Sequence, residues 1–468
     1  MNNAMLKTIL LVAIIFITFP VSSQEIMTFT LEEAKQYGVD NFYSTKNARL
    51  DLEIADEQIW QTTAIGLPQI TGSIQYQNML DIPTQLMPDF ISPAVYGVLM
   101  AEGVPIDPTH IPDPNNPAMF PVQFGTPHNA SWSVSVSQLI FSGEYIIGLQ
   151  AAKVFRQFSE KSLVATEQEV KMSVAQTYSM VLMMDEAITN VNDNLAEMEK
   201  ILAETEKLVQ AGFLEETNLD QMRLNVNNLK IARDKLLLDK NAVNRLMCFQ
   251  LGLPYDSKVE LKDDMNTIFA QVQSSDISTQ QFSPSNHIKY QQIEVNEQLS
   301  LLSLRREKVK QLPSLFAFAN YQRNAMRNEF DFFDFNKEWY PTTVVGLQID
   351  IPIWKSWGQQ SVIQQRSLEM QKSSNMKMQV EIALRLEVET AQNEYKNAAM
   401  QYEAQMQNKD LAEKIYSRTK QKYEQGMASG MELTQANTQY LSALSNINSA
   451  KYNLVNAFFK LQKAMGEI

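Results

Sequence analysis

Few residues in this chain could ligate a metal or act as a nucleophile. Histidine occurs three times, at His110, His128 and His287, and cysteine once, at Cys248. Protein zinc sites repeat their ligands at short spacings, and these histidines do not. Only "DPTHIPDP" sets acids beside one of them, His110. No glycine-rich loop stands between a strand and a helix, where a phosphate would be cradled. "NAS" at Asn129 fits a glycosylation sequon, a pattern short enough to arise by chance. The expectation is therefore no enzyme: no catalytic residue, no cofactor and no metal. The informative residues are those that shape the chain.

The chain opens "MNNAMLKTILLVAIIFITFPVSSQ": a lysine, an apolar stretch from Ile9 to Phe19, a proline and small residues before Gln24. This predicts a signal peptide over residues 1–23, since the stretch falls short of the roughly 20 residues that span a bilayer. An exported chain with one cysteine forms no internal disulfide. Without Lys7, 39 basic residues face 53 acidic ones, a formal charge of −14. That excludes nucleic acid as a partner, because its binders carry basic patches. No later segment is apolar enough for a membrane helix, so any crossing of a membrane must be made by strands.

Breakers are confined to a few places. Ten of the 17 prolines fall between Pro83 and Pro127, Gly212 is the only glycine between Gly148 and Gly252, and Gly426 and Gly430 are the only ones between Gly358 and Gly466. Long helices are predicted between them. Apolar residues alternate at spacings of three and four from Val181 to Val209 and from Leu219 to Met247, with Arg233 and Lys240 as interruptions. They do so again, more cleanly, from Leu433 to Ala464, while Tyr395, Tyr402, Tyr416 and Tyr423 share a heptad position with Lys409. This is coiled-coil periodicity.

The chain also repeats itself. Gly212, Leu219 and Gln221 recur as Gly426, Leu433 and Gln435, all at one constant offset. "GLPQITGSIQYQ" (Gly66 to Gln77) matches "QLPSLFAFANYQ" (Gln311 to Gln322), and "WSVSVSQLIFSGEY", from Trp132, matches "VGLQIDIPIWKSWGQQ", from Val345. Each of these begins or continues with period-two alternation, the mark of a strand with one apolar face. The first of these pairs is the more widely separated, because the first copy carries a Pro-rich loop over 78–130. The predicted organisation is a first repeat over 24–252, an equatorial linker over 253–285 and a second repeat over 286–468, each repeat running helix, strand, loop, strand, long helix, glycine turn, helix.

A helix from Ile146 to Ala211 would extend roughly 100 Å. Four strands per chain are too few to close a membrane barrel, whose smallest examples have about eight, so several chains must contribute. Trp132 and Trp339 fall near the loop ends of their strands, and Trp60, Phe141, Trp354 and Trp357 near the helix ends, as two membrane aromatic belts would. "FDFFDFNKEWY" reads as a loop tip at the membrane surface.

With "TLEEAKQYGVDN", both Leu-Pro junctions, "LIFSG", "IPIW" and the two glycine turns, the sequence resembles the outer membrane efflux protein (TolC) family over nearly all of the mature chain. The resemblance implies a mainly helical fold with a small membrane β part: a homotrimer whose twelve-strand barrel sits in outer-membrane lipid and continues as a coiled-coil tunnel through the periplasm. It implies a passive exit channel for efflux or type I secretion, partnered by a periplasmic adaptor (membrane fusion) protein and an inner-membrane transporter. The competing class is an adaptor or a coiled-coil scaffold of an envelope complex; an adaptor would carry one hairpin between β-rich domains, and a scaffold no strands. The family pattern also places the adaptor-docking tips at Gly212, Phe213, Leu214, Leu219, Gly426, Met427, Ala428 and Leu433. A periplasmic gate would fall at Tyr423, Glu432, Asn218 and Gln435. There Ala428 replaces the family's arginine, Gln435 an aspartate, and Asn218 stands where an acid is expected. A ring of Glu432 carboxylates around the tunnel axis, and a Tyr423 hydrogen bond across the closed tip, are what that pattern leaves.

Overall fold

The glycine-poor stretches fold as helices of the expected lengths. A computed structural model describes residues 27–468 apart from 108, 110, 112, 114, 115, 117, 276 and 278–280. The expected signal peptide and His110 lie outside the described residues. Helices α1 (Leu31–Asn41) and α2 (Tyr43–Ile65) precede the first strands; α4 (Gly143–Gln210) and α5 (Glu216–Gln250) form the first hairpin, and α8 (Gly358–Glu424) and α9 (Gly430–Met465) the second. Shifted by the offset between Gly212 and Gly426, the bounds of the first hairpin coincide with those of the second or miss by a single position. At 1.5 Å per residue, the 68 residues of α4 extend about 100 Å. No described helix is long and apolar enough to cross a membrane.

The chain divides into two compact units. One gathers residues 27–57, 152–301 and 365–468. Its helices bury the heptad rows read from sequence: Leu433, Ala436, Ala443, Ala450, Leu454, Ala457, Leu461 and Ala464 are all buried, and Tyr440 and Ile447 half-buried. The predicted equatorial segment folds onto this unit. Strand β1 (Met27–Phe29) pairs in parallel with β6 (Val259–Leu261), and α6 (Met265–Gln273) buries Met265, Ile268, Phe269 and Val272. The fully buried Tyr178 donates its hydroxyl to the Phe29 carbonyl and to Asp263, each at 2.9 Å, and Asp263 also accepts the Leu31 N–H at 2.7 Å. One buried phenol therefore ties the N-terminal strand to the equatorial segment, and burial raises its pKa so that it stays a donor.

His287, expected to bind no metal, is buried at the start of α7 (Ile288–Val309). Its Nδ1 accepts the Lys289 N–H at 3.2 Å. Burial, then the nearby Lys289 charge, holds its pKa below the usual value, against the opposing pull of Glu387. A histidine depressed in the folded state binds its proton more readily when unfolded, so its contribution to stability is present above about pH 6.5 and lost as pH falls. The unfolding free energy should drop between pH 7.5 and pH 5, by at most about 1.4 kcal/mol per pH unit for this one group. His287→Asn should flatten part of that slope.

The second unit comprises residues 58–151 and 302–364. Its sheet is antiparallel, in the order β2 (Gln69–Asn78), β5 (His128–Phe141), β7 (Ser314–Arg327), β8 (Tyr340–Asp350). The register carries the alternation across all four strands: Ile70 pairs with Val136, Val136 with Ala319, and Ala319 with Val345. That face is apolar yet open, with Ile74 90% and Leu347 72% exposed. The opposite face is hydrogen-bonded: Ser73 to Ser133 at 2.8 Å and Ser135 to Asn320 at 2.9 Å. Where β5 runs into α4, Glu144 forms a salt bridge to Arg306 at 2.5 Å.

The Pro-rich segment corrects the sequence reading. Instead of a bare loop it holds a hairpin of β3 (Thr84–Pro88) and β4 (Met119–Gln123) and a helix, α3 (Ile91–Ala101), so that with β1 and β6 the described residues form eight strands rather than four. The prolines permit this by position. Pro93 is the third residue of α3, where its missing N–H would have had no helical acceptor. Pro88 and Pro121 sit in a two-stranded ribbon, which needs a donor on one side only. None of α3 is buried, and Asn78 pairs directly with His128 at the base of the segment. Replacing residues 79–127 by an Asn-Gly turn, the preferred two-residue hairpin link, should therefore leave the sheet folded and the protein in the membrane fraction.

Candidate functional site: the paired hairpin turns

Both turns end their first helix in the same way. Gly212 and Gly426 adopt φ of 81° and 73°, the left-handed region that favours glycine. Beyond them, Phe213 N–H reaches the Leu208 carbonyl at 2.9 Å, and Met427 N–H the Lys422 carbonyl at 2.8 Å. These are Schellman closures, one in each copy of the repeat. The side chains beyond them divide. Phe213 is 78% exposed and Met427 66%, whereas Leu214 and Ala428 are half-buried and Leu219 and Leu433 fully buried. Of the three leucines expected at the docking tips, Leu219 and Leu433 are thus buried, and Leu433 joins the core where the hairpins pack. Of the expected tip residues, Phe213 and Met427 alone present large apolar surface.

Three of the four expected gate residues have partners inside the chain. Tyr423 is buried and shares a 2.8 Å hydrogen bond with Thr205 of α4, so its hydroxyl joins two helices of one chain and is not available to reach across a tip. Glu432 belongs to a capping box: its carboxylate accepts the Ser429 N–H at 2.8 Å, and its own N–H donates to Ser429 Oγ at 3.3 Å. Its first task is thus to start α9. Asn218 bridges the hairpins, accepting the Gly430 N–H at 3.3 Å, and Gln435 is exposed. The Ser-x-x-Glu signature stands in the sequence at Ser429–Glu432 and is the local signal for the cap. Glu432→Ala should cost about 1 kcal/mol, as lost caps do, and speed amide exchange in the first turn of α9. Gln435→Ala should leave exchange there unchanged.

Polar pairs missed by the heptad reading link the hairpins above the turns. Asn194 and Asn437, both buried, exchange amide hydrogen bonds at 2.7 and 3.2 Å. Glu197 takes the Tyr416 hydroxyl at 2.8 Å and an ion pair from Lys420. Burial, then that bond to Glu197, raises the Tyr416 pKa and keeps it a donor. Buried amides at such positions fix register at a cost in stability.

The expected belt residues lie on the other unit or its helix ends. Trp132 is half-buried against Tyr321, ring centroids 5.5 Å apart, and Trp339 packs 6.2 Å from Phe332. Trp60, Phe141, Trp354 and Trp357 are exposed, the last two edge-to-face at 5.4 Å. Among the described residues no cluster of three potential metal ligands occurs; His128 instead bonds Tyr76 at 2.9 Å.

Residues 286–467, the second repeat, match the outer membrane efflux protein family. No curated protein matches the chain by sequence. Solved structures share the fold beyond that repeat. The channel CusC superposes with a TM-score of 0.68 at 15% identity, covering 93% of this chain and 92% of that one. The CmeC outer membrane channel of Campylobacter jejuni gives 0.67 at 17%, covering 93% and 85%, and the outer membrane protein VceC of Vibrio cholerae 0.67 at 11%, covering 93% and 96%. The fold shared with these channels therefore spans the first repeat too.

Proposed function

We propose that this protein is the outer-membrane exit channel of a tripartite efflux or type I secretion system. Three copies would close a twelve-strand barrel in outer-membrane lipid, continued by a helical tunnel in the periplasm. An inner-membrane transporter and a periplasmic adaptor would deliver the substrate, with Phe213 and Met427 as the exposed apolar contacts for the adaptor. One observation carries the reading: the sheet of β2, β5, β7 and β8 has an open apolar face, a hydrogen-bonded polar face and two edge strands without strand partners among the described residues. Unpaired edges beside an exposed apolar face call for a cover, and lipid together with neighbouring strands supplies one. A conduit needs no catalytic group, and the polar face, rich in Ser, Thr, Asn and Gln, suits a wet lumen. The test is fractionation followed by mass measurement in detergent. The reading expects recovery with the outer membrane at three times the chain mass; recovery as a soluble protein, or with the inner membrane, would overturn it.

A further inference from the structure

The repeat is densest where α4 and α8 approach the turns. "NLAEMEKILAET" (Asn194 to Thr205) and "NKDLAEKIYSRT" (Asn408 to Thr419) stand at the same offset as the glycine turns and agree at five of twelve positions. Their surroundings do not agree. Asn194 is 4% and Ile201 3% exposed, because α8 and α9 of the same chain cover them. Their counterparts Asn408 and Ile415 are exposed, Ile415 by 50%. The same seam is present twice and covered once. A row shared by the two copies in amide, isoleucine and threonine, but uncovered on one of them, requires a cover shaped like the one the other copy has.

We infer that the Asn408, Ala412, Ile415, Thr419 row is covered by the first hairpin of a second copy of this chain, with Arg223 of that copy opposite Asn408. The assignment follows from the contacts on the covered side. Asn194 meets Asn437 and Thr205 meets Tyr423; stepping both partners back by one repeat gives Arg223 and Val209. Arg223 is half-exposed and loosely held, 3.3 Å from Glu206 and 3.8 Å from Asp220, leaving guanidinium donors for an amide oxygen. Val209 would lie over Thr419 as Tyr423 lies over Thr205. The two kinds of seam therefore differ in chemistry. Within a chain a neutral, reciprocal amide pair sets register; between chains a charged donor meets an amide. That asymmetry distinguishes the chain's own second hairpin from its neighbour's.

This inference rests on the trimer proposed above, and the test separates the two. In full-length protein carrying Cys248→Ser, the pair Arg223→Cys and Asn408→Cys is treated in detergent with a short bifunctional maleimide. Denaturing gels should shift from one chain mass to two and three. The pair Asn194→Cys and Asn437→Cys should stay at one chain mass, because it lies within a chain. A native species of three chains without the shift would overturn the pairing and leave the trimer standing. A native single chain would overturn the trimer itself. Should the cysteine pair fail to fold, a photoreactive residue at position 408 alone should attach to the α5 peptide containing Arg223, and attachment elsewhere would overturn the pairing.

Discussion

Gly252→Ala should destabilise the protein by about 2–5 kcal/mol, roughly twice the cost of the same change at Gly212. Both glycines follow a helix in a left-handed conformation, with φ of 68° and 81°, and both therefore charge alanine about 1–2 kcal/mol. At Gly212 nothing else lies within 4 Å of the added Cβ. At Gly252 that Cβ would stand 2.8 Å from the Asn41 carbonyl carbon and nearer still to its oxygen. Backbone cannot rotate aside as a side chain can, and forced overpacking adds about 1–3 kcal/mol. The close approach exists because α5 ends there with Leu253 N–H on the Cys248 carbonyl at 2.9 Å, setting the turn against the α1–α2 junction. Unfolding of both variants, followed by helical circular dichroism in detergent, measures the difference directly. Equal losses would mean that the α1–α2 junction yields and that the contact is not a fixed point of the fold.

The repeat is readable because its punctuation is chemical. Only glycine suits the left-handed residues at 212 and 426, and only alternation gives a strand one apolar face, so turns and strands show in the sequence. Elements without a period do not. Strands β1 and β6 are three-residue pieces far apart in the chain, and their pairing is set by Tyr178 and Asp263, which no local pattern reveals. The insert misleads because its prolines are many; Pro93, at the first turn of α3, and Pro88 and Pro121, in a two-stranded ribbon, stand where proline is tolerated. At the turns, family likeness suggests roles for Tyr423 and Glu432 that their own contacts redirect. Each has a partner within the chain, and in Glu432 the capping signature is local and legible.

On the proposed barrel, Leu347→Arg should abolish stable assembly in the membrane, while Gln348→Arg, at the next position of the same strand, should be tolerated. Leu347 lies midway along the chain between Trp339 and Trp354, and so between the two aromatic levels. It shares the open apolar face with Val345 and Ile349 and pairs across the ladder with Ala317. An arginine on a lipid-facing wall costs about 2–4 kcal/mol at the bilayer midplane, and a threefold assembly would incur that cost at three sites. Gln348 points the other way, its amide bonded to Asp350 at 2.9 Å, so a guanidinium there would enter a wet lumen and could use the same carboxylate. The two variants change neighbouring residues to the same side chain, and only the face differs. Refolding each into lipid vesicles, with protease-resistant trimer as the readout, therefore isolates the environment of the face from any general intolerance of charge in the strand. If both variants assemble equally, the open apolar face does not meet lipid, and the covering of the sheet must come from protein.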